Sequence, residues 1–166
     1  MFLKIIFLLV PTTTIILAAA RAEDPSCPPD WVDATAVGMG CLLANRDVQL
    51  TWLETQSYCQ TQHLSESLSI LTQEEMDFVS DLLDSLWHYE RGNYWWTGAT
   101  DLGREGSWYW AASLTTVGEF IWQQGWPKNT TGNNCAALYY AYGAIDVNCD
   151  HDNGKYYPIC QKRFNS

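Results

Sequence analysis

The chain is short of basic residues: nine Lys and Arg stand against nineteen Asp and Glu over 166 residues. A surface with that balance is repelled by phosphate backbones, which argues against nucleic acid as a partner. The sequence also has no Cys-x-x-Cys pair and no two histidines at metal-binding spacing, because His63, His88 and His151 are scattered. That disfavours zinc as an explanation for its six cysteines. After the N-terminal segment, no apolar stretch is long enough for a bilayer span. Repeats, low-complexity tracts and linkers are missing as well, so one domain is expected.

What is present begins with a leader. Lys4 precedes an apolar run from Ile5 to Leu17, broken by Pro11 and by Thr12 to Thr14, and small residues follow to Ala20-Arg21-Ala22. That ending has the Ala-x-Ala form of a signal-peptidase site, and the run is too short and broken for a membrane anchor. Residues 1–22 are expected to be a signal peptide, leaving a secreted, soluble domain over residues 23–166. Once Lys4 and Arg21 are removed, seven basic residues remain against nineteen acidic ones, a net charge of −12 that serves solubility. A hydrophobic content of 47%, with nine Trp and nine Tyr, excludes disorder. Cys27, Cys41, Cys59, Cys135, Cys149 and Cys160 all fall in this domain. An even count in a secreted chain implies three disulfides, among fifteen possible connectivities.

The run from Cys27 to Cys41 has turn-formers at both ends, which suits a small hairpin closed by a Cys27–Cys41 bridge. Thr51 to Glu54 is a capping box, and Trp52, Thr55 and Cys59 recur on one helical face after it. Thr72 to Glu75 is a second capping box, and Met76, Val79, Leu82, Leu83 and Leu86 form a stripe for core packing. Leu64 to Leu71, between these helices, reads as a loop and a short strand. From Tyr94 the chain is aromatic-rich with no helical period. Tyr94 to Asp101 reads as a strand, Gly103 to Ser107 as a turn, Trp108 to Trp110 as a strand, and Tyr156 to Cys160 as the last strand. Hairpin, helix, helix, strands, long loop, strands: that order is α+β, with an antiparallel sheet late in the chain.

The stretch from Phe120 to Cys149 organises the rest. A glycine- and asparagine-rich loop, Gly125 to Asn134, runs directly into Cys135 and an apolar, aromatic strand, and Cys149 pins back the next. Irregular segments held on rigid strands are where binding function concentrates. The loop also holds the chain's one Asn-x-Ser/Thr sequon, Asn129-Thr130-Thr131, so a glycan on Asn129 is expected.

Taken together, several motifs carry a resemblance. They are Cys27-Pro28 with Trp31, the helix bearing Trp52 and Cys59, Leu71 to Glu75, Trp96-Thr97-Gly98, and Glu105 to Trp110. Cys135, Asp146 to Cys149 and Tyr157 to Cys160 complete the set. In this order and cysteine spacing, the chain resembles the long form of the C-type lectin-like domain family from about Cys27 to Arg163. The resemblance implies the pairs Cys27–Cys41, Cys59–Cys160 and Cys135–Cys149. Closing the Cys59–Cys160 loop is worth roughly 4–5 kcal/mol in the chain-entropy model, and Cys135–Cys149 roughly 3 kcal/mol.

Sugar-binding members of that family hold a calcium ion in the long loop. The ligands come from Glu-Pro-Asn or Gln-Pro-Asp, an acid two residues before the next cysteine, and an Asn-Asp pair on the following strand. Here Trp126 and Lys128 flank Pro127, Asn133 stands for the acid, and the strand pair reads Ile145-Asp146. Calcium takes six to eight oxygen ligands. Asp146 and the Asn133 amide supply too few, so calcium is not expected in this site. An auxiliary calcium site in some members matches Asp101, Glu105, Asn129 and Asn134, all of which carry oxygen here. The proline matching Pro127 is usually cis in the family.

Such a fold leaves function open. In one reading, the chain is a secreted lectin that recognises carbohydrate or a cell-surface glycan without calcium, with a role in innate defence implied by the resemblance. Trp126 would stack on a sugar ring, while Lys128, Asn129, Asn133, Asn134 and Asp146 hydrogen-bond its hydroxyls. The alternative for Trp126 is to pack inward beneath the loop, as is expected of Trp122. In a second reading, a protein partner docks on a patch of Trp126, Tyr139, Tyr140 and Tyr142. An enzymatic reading built on Asp146, Asp150 and Asp152 lacks a nucleophile–base pair, and the resembled family is not catalytic.

Overall fold

The computed structural model describes residues 26–86, 94–139, 142–150 and 156–164. The expected signal peptide, and His88, Tyr140, His151 and Asp152, lie outside the described residues.

The hairpin forms where glycines permit it. Gly38 and Gly40 take positive φ, and strand β1 (Val32–Ala34) folds back on β2 (Gly40–Ala44). A Cβ on Gly40 would fall 2.1 Å from the Lys162 carbonyl oxygen, so only glycine fits there. Helix α1 (Trp52–His63) starts at Thr51 with a complete capping box: Thr51 accepts from the Glu54 N–H, and Glu54 accepts from the Thr51 N–H at 2.8 Å. Trp52, Thr55 and Cys59 are its buried residues.

Strand β3 (Glu66–Ser67) precedes helix α2 (Gln73–Leu86), which buries Met76, Val79 and Leu83, with Leu82 and Leu86 at the edge of the core. The second expected capping box is only half formed. Thr72 Oγ1 accepts from the Glu75 N–H at 3.2 Å, but the Glu75 carboxylate reaches back to the Leu71 N–H instead of Thr72. The reason is Arg163, whose guanidinium grips both Glu75 oxygens at 2.8 and 2.9 Å and also donates to the Gly38 and Ser69 carbonyls.

The remaining strands are β4 (Tyr94–Thr100), β5 (Tyr109–Trp110), β6 (Cys135–Tyr139), β7 (Ala144–Val147) and β8 (Tyr157–Lys162). The sheet runs β1-β2-β8-β4-β6-β7, with β3 paired to β8 and β5 to β4. The antiparallel sheet expected from sequence is in fact mixed, because β4 and β8 run parallel, Trp95 beside Tyr157. No short turn joins these two strands, so nothing local forces the antiparallel direction; β8 is instead oriented by its antiparallel pairing with β2. The strand expected over Trp108 to Trp110 shortens to its last two residues.

Successive residues of the central strands face opposite sides. Trp95, Ala99, Ala136 and Leu138 enter the main core with Val79 and Leu83. Trp96, Cys135, Ala137, Ile145 and Val147 form a second cluster with Trp52. Both faces are therefore covered, which is why these strands read as apolar runs and not as alternating ones. The three disulfides are Cys27–Cys41, Cys59–Cys160 and Cys135–Cys149, as the resemblance implied. The last ties the start of β6 to the residues just past β7 and fixes the base of the long loop.

Candidate functional site

The loop turns at a cis Trp126–Pro127 peptide bond. Immediately after it, β7 holds the chain. Asp146 Oδ1 accepts from the Lys128 N–H at 2.7 Å, and Oδ2 accepts from the Asn129 N–H at 3.0 Å. Bonds from backbone amides to an ionised carboxylate are among the stronger ones. Asp146 is 1% exposed. Sequence assigned it to hydrogen-bonding a ligand; in the structure each of its oxygens accepts a hydrogen bond from the loop backbone.

Trp126 adopts an arrangement between the two expected. It is half-buried against the second cluster, and Lys128 Nζ lies 5.1 Å from its ring centroid. The ammonium and the indole thus form a cation–π pair at the loop apex. Asn133 closes the next turn, donating from its backbone N–H to the Thr130 carbonyl at 2.9 Å and from Nδ2 to Thr130 Oγ1 at 3.0 Å.

Asn129 sits at φ 50°, a left-handed conformation that Asn tolerates better than most residues. Its Oδ1 accepts from Trp108 Nε1 at 3.0 Å. Trp108 in turn meets Trp122 edge-on, with ring centroids 4.7 Å apart. These residues, with Tyr109, Gln123, Gln124 and Trp126, line an open groove of about 1210 Å3 beside the loop. Sequence reading placed Trp122 in the interior and passed over Gln123, Gln124 and Tyr109. The signal was present: two glutamine amides lie between two indoles in the run Trp122 to Trp126.

The auxiliary cation position is built differently. Asp101, also 1% exposed, accepts from the Gly106 N–H at 2.7 Å through Oδ2, and its own N–H donates to the Asn134 carbonyl. Asp101 Oδ1 and Asn134 Oδ1 are buried with no hydrogen-bond partner among the described residues. Burial raises the Asp101 carboxyl above its ordinary value; backbone hydrogen bonds pull it partly back, and the Asp146 charge adds to the rise. The exposed Glu105 carboxyl is raised too, by desolvation and then by the charges of Asp101 and Asp146. The Asn129 amide oxygen, the fourth expected donor, is engaged by Trp108. What remains is an incomplete cage for an ion that takes six to eight oxygens. At the loop apex the fit is worse, since Trp126 and Lys128 flank the proline and Asp146 is committed. Among the described residues, no group of three or more His, Cys, Asp or Glu is placed to hold a metal ion.

The family model for the lectin C-type domain matches residues 48–162. The chain belongs to the C-type lectin domain family. A C-type lectin of Cerberus rynchops is 29% identical over 154 residues, spanning 89% of this chain and 90% of the relative. C-type lectin domain family 4 member M of Gorilla gorilla gorilla is 29% identical over 138 residues, which is 82% of this chain and 33% of that longer protein. The human scavenger receptor C-type lectin carbohydrate-recognition domain superposes with a TM-score of 0.68 at 26% identity, covering 84% of this chain and 100% of that domain. Human lithostathine shares the fold, with a TM-score of 0.70 at 24% identity over 84% of this chain and 92% of that one. C-type lectin domains bind and do not catalyse, and this member is a binding domain. Its acidic residues agree with that: Asp146 is buried on the loop backbone, while Asp150 is exposed. No described helix is long and apolar enough to cross a membrane.

Proposed function

We propose that this C-type lectin domain is secreted and recognises carbohydrate or a cell-surface glycan without calcium, a setting compatible with innate defence. One observation carries the reading: Asp146 holds the loop through the Lys128 and Asn129 amides, so the loop keeps its shape by protein groups alone. Beside it lies a groove walled by indoles and amides. Indole faces pack on the C–H faces of sugar rings, and amides both donate to and accept from hydroxyls. Trp126 is the central contact, with Lys128, Asn129, Asn133 and Asn134 around it. Similarity to a carbohydrate-recognition domain supports the same assignment.

A glycan array run with and without EDTA tests it. Retention on glycans is expected to persist in EDTA and to fall on the order of tenfold in Trp126→Ala, the loss typical of a buried aromatic anchor. Elution of the bound protein by EDTA would refute it. The proposed leader is checked separately, by N-terminal sequencing that begins at Glu23.

A protein partner is the second reading, and a row of rings favours it. Tyr142, 66% exposed, lies 6.1 Å from Tyr139, which stacks on Tyr94 at 4.7 Å. Tyr94 and Trp126 both pack against the second cluster. Silence on every glycan together with loss of a captured partner in Tyr142→Ala would favour this reading over the first.

A further inference from the structure

We propose that the groove beside the long loop is filled by the protein's own N-linked glycan, rooted on Asn129, which competes there with carbohydrate from outside. This rests on the carbohydrate reading of the loop face and adds its regulation. Asn129 is exposed, belongs to the chain's single sequon and lines the groove.

Its attachment geometry is fixed at both ends. The backbone N–H is held by Asp146, and the amide oxygen is held by Trp108 Nε1. That oxygen keeps its acceptor role after glycosylation, so the Trp108 bond survives the modification. Nδ2, the atom that takes the sugar, has no hydrogen-bond partner among the described residues. The wall next to it is low, because Gly106 has no side chain; even an added Cβ there would stand 3.9 Å from Nδ2.

In the covalent step, a polyprenyl-diphosphate oligosaccharide of the secretory pathway is the donor. A bond forms between Nδ2 and the sugar C1, the bond from C1 to the diphosphate oxygen breaks, and one Nδ2 proton leaves as polyprenyl diphosphate departs. The first sugars then emerge beside Trp122, Trp126, Gln123 and Gln124. A short tether gives an effective concentration in the millimolar range, enough to populate the weak contacts a sugar ring makes with an indole.

The test compares the wild type with Thr131→Ala, both secreted from an animal cell line. Thr131 is exposed, and the Asn133 bonds go to Thr130, so the substitution removes the sequon while sparing the turn. Intact mass should show one glycan on the wild type and none on the variant. Acrylamide quenching of tryptophan fluorescence should be stronger in the variant, and its affinity for free diacetylchitobiose on the order of tenfold higher. Trimming the folded wild type with an endoglycosidase to a single N-acetylglucosamine should shift quenching the same way, with no change in folding history. An unmodified Asn129 in the secreted wild type would overturn the proposal, as would equal quenching before and after trimming. Equal sugar affinity in both proteins would overturn the competition while leaving the lectin reading intact. Stronger quenching with no chitobiose binding by either protein would keep the glycan in the groove and count against recognition of external sugar of this type.

Discussion

Asp146 and Asp101 are equally buried, each 1% exposed, yet they are treated in opposite ways. Asp146 has a backbone N–H on each oxygen. Asp101 has one on Oδ2 alone, and its Oδ1, like the Asn134 amide oxygen, is buried with no hydrogen-bond partner among the described residues. The chain has thus supplied its own donors at one carboxylate and left the other half-satisfied. The difference separates a carboxylate whose two oxygens are both held by the backbone from one still open to a proton or a donor.

The largest effect is expected at the satisfied carboxylate. Asp146→Ala strands two amide donors and should cost about 2–4 kcal/mol of unfolding free energy in a denaturant titration. A loss no larger than that of an exposed surface substitution would break the comparison.

At the other carboxylate, Asp101→Asn should change stability by no more than about 1 kcal/mol, because burial works against the charged form there and an amide oxygen can still accept from the Gly106 N–H. The pH dependence sharpens the point. Asp101 titrates above its ordinary value in the folded chain, so the native state binds its proton more readily than the unfolded one. Its contribution to stability therefore falls as pH rises from the ordinary carboxylate range through the folded value. Melting temperatures across that range should decline less steeply with rising pH in Asp101→Asn than in the wild type.

A smaller change is expected at the apex cation. Lys128→Ala removes the ammonium from the Trp126 ring and should cost about 0.5–1 kcal/mol, read by chemical denaturation. Its Asp146 bond uses the backbone N–H and survives. The smallest effect belongs to chelation: EDTA should leave the melting temperature of the wild type where it was. A calcium-dependent rise abolished by Asp101→Asn, but not by Lys128→Ala, would show that the half-satisfied site holds the ion after all.

Much of the fold was readable because its determinants are local or spaced by cysteine. The Thr51 capping box, the stripe from Met76 to Leu83 and the hairpin glycines each depend on neighbours a few residues away. The parallel pairing of β4 with β8 was not readable, since it depends on contacts between Trp95 and Tyr157 that no short-range pattern encodes. Nor was the diversion of Glu75 to Arg163, eighty-eight residues distant. At the site, sequence identified the loop, its proline and its altered calcium residues. It could not tell that Asp146 faces the backbone, because an Asp that binds a ligand and an Asp that binds N–H groups look alike in sequence. The groove was missed for a related reason: Trp108 and Trp122 come together only across the folded loop.

The first hairpin carries a practical consequence. Cys27 is tied to Cys41, and Cys41 pairs with Lys162, so the two ends of the described domain lie beside each other at strands β2 and β8. Strands β4 and β6 lie between β8 and β7. An immobilisation tag fused at either end would anchor the domain to a sensor chip by the same side, keeping the linker away from the Asp146 strand.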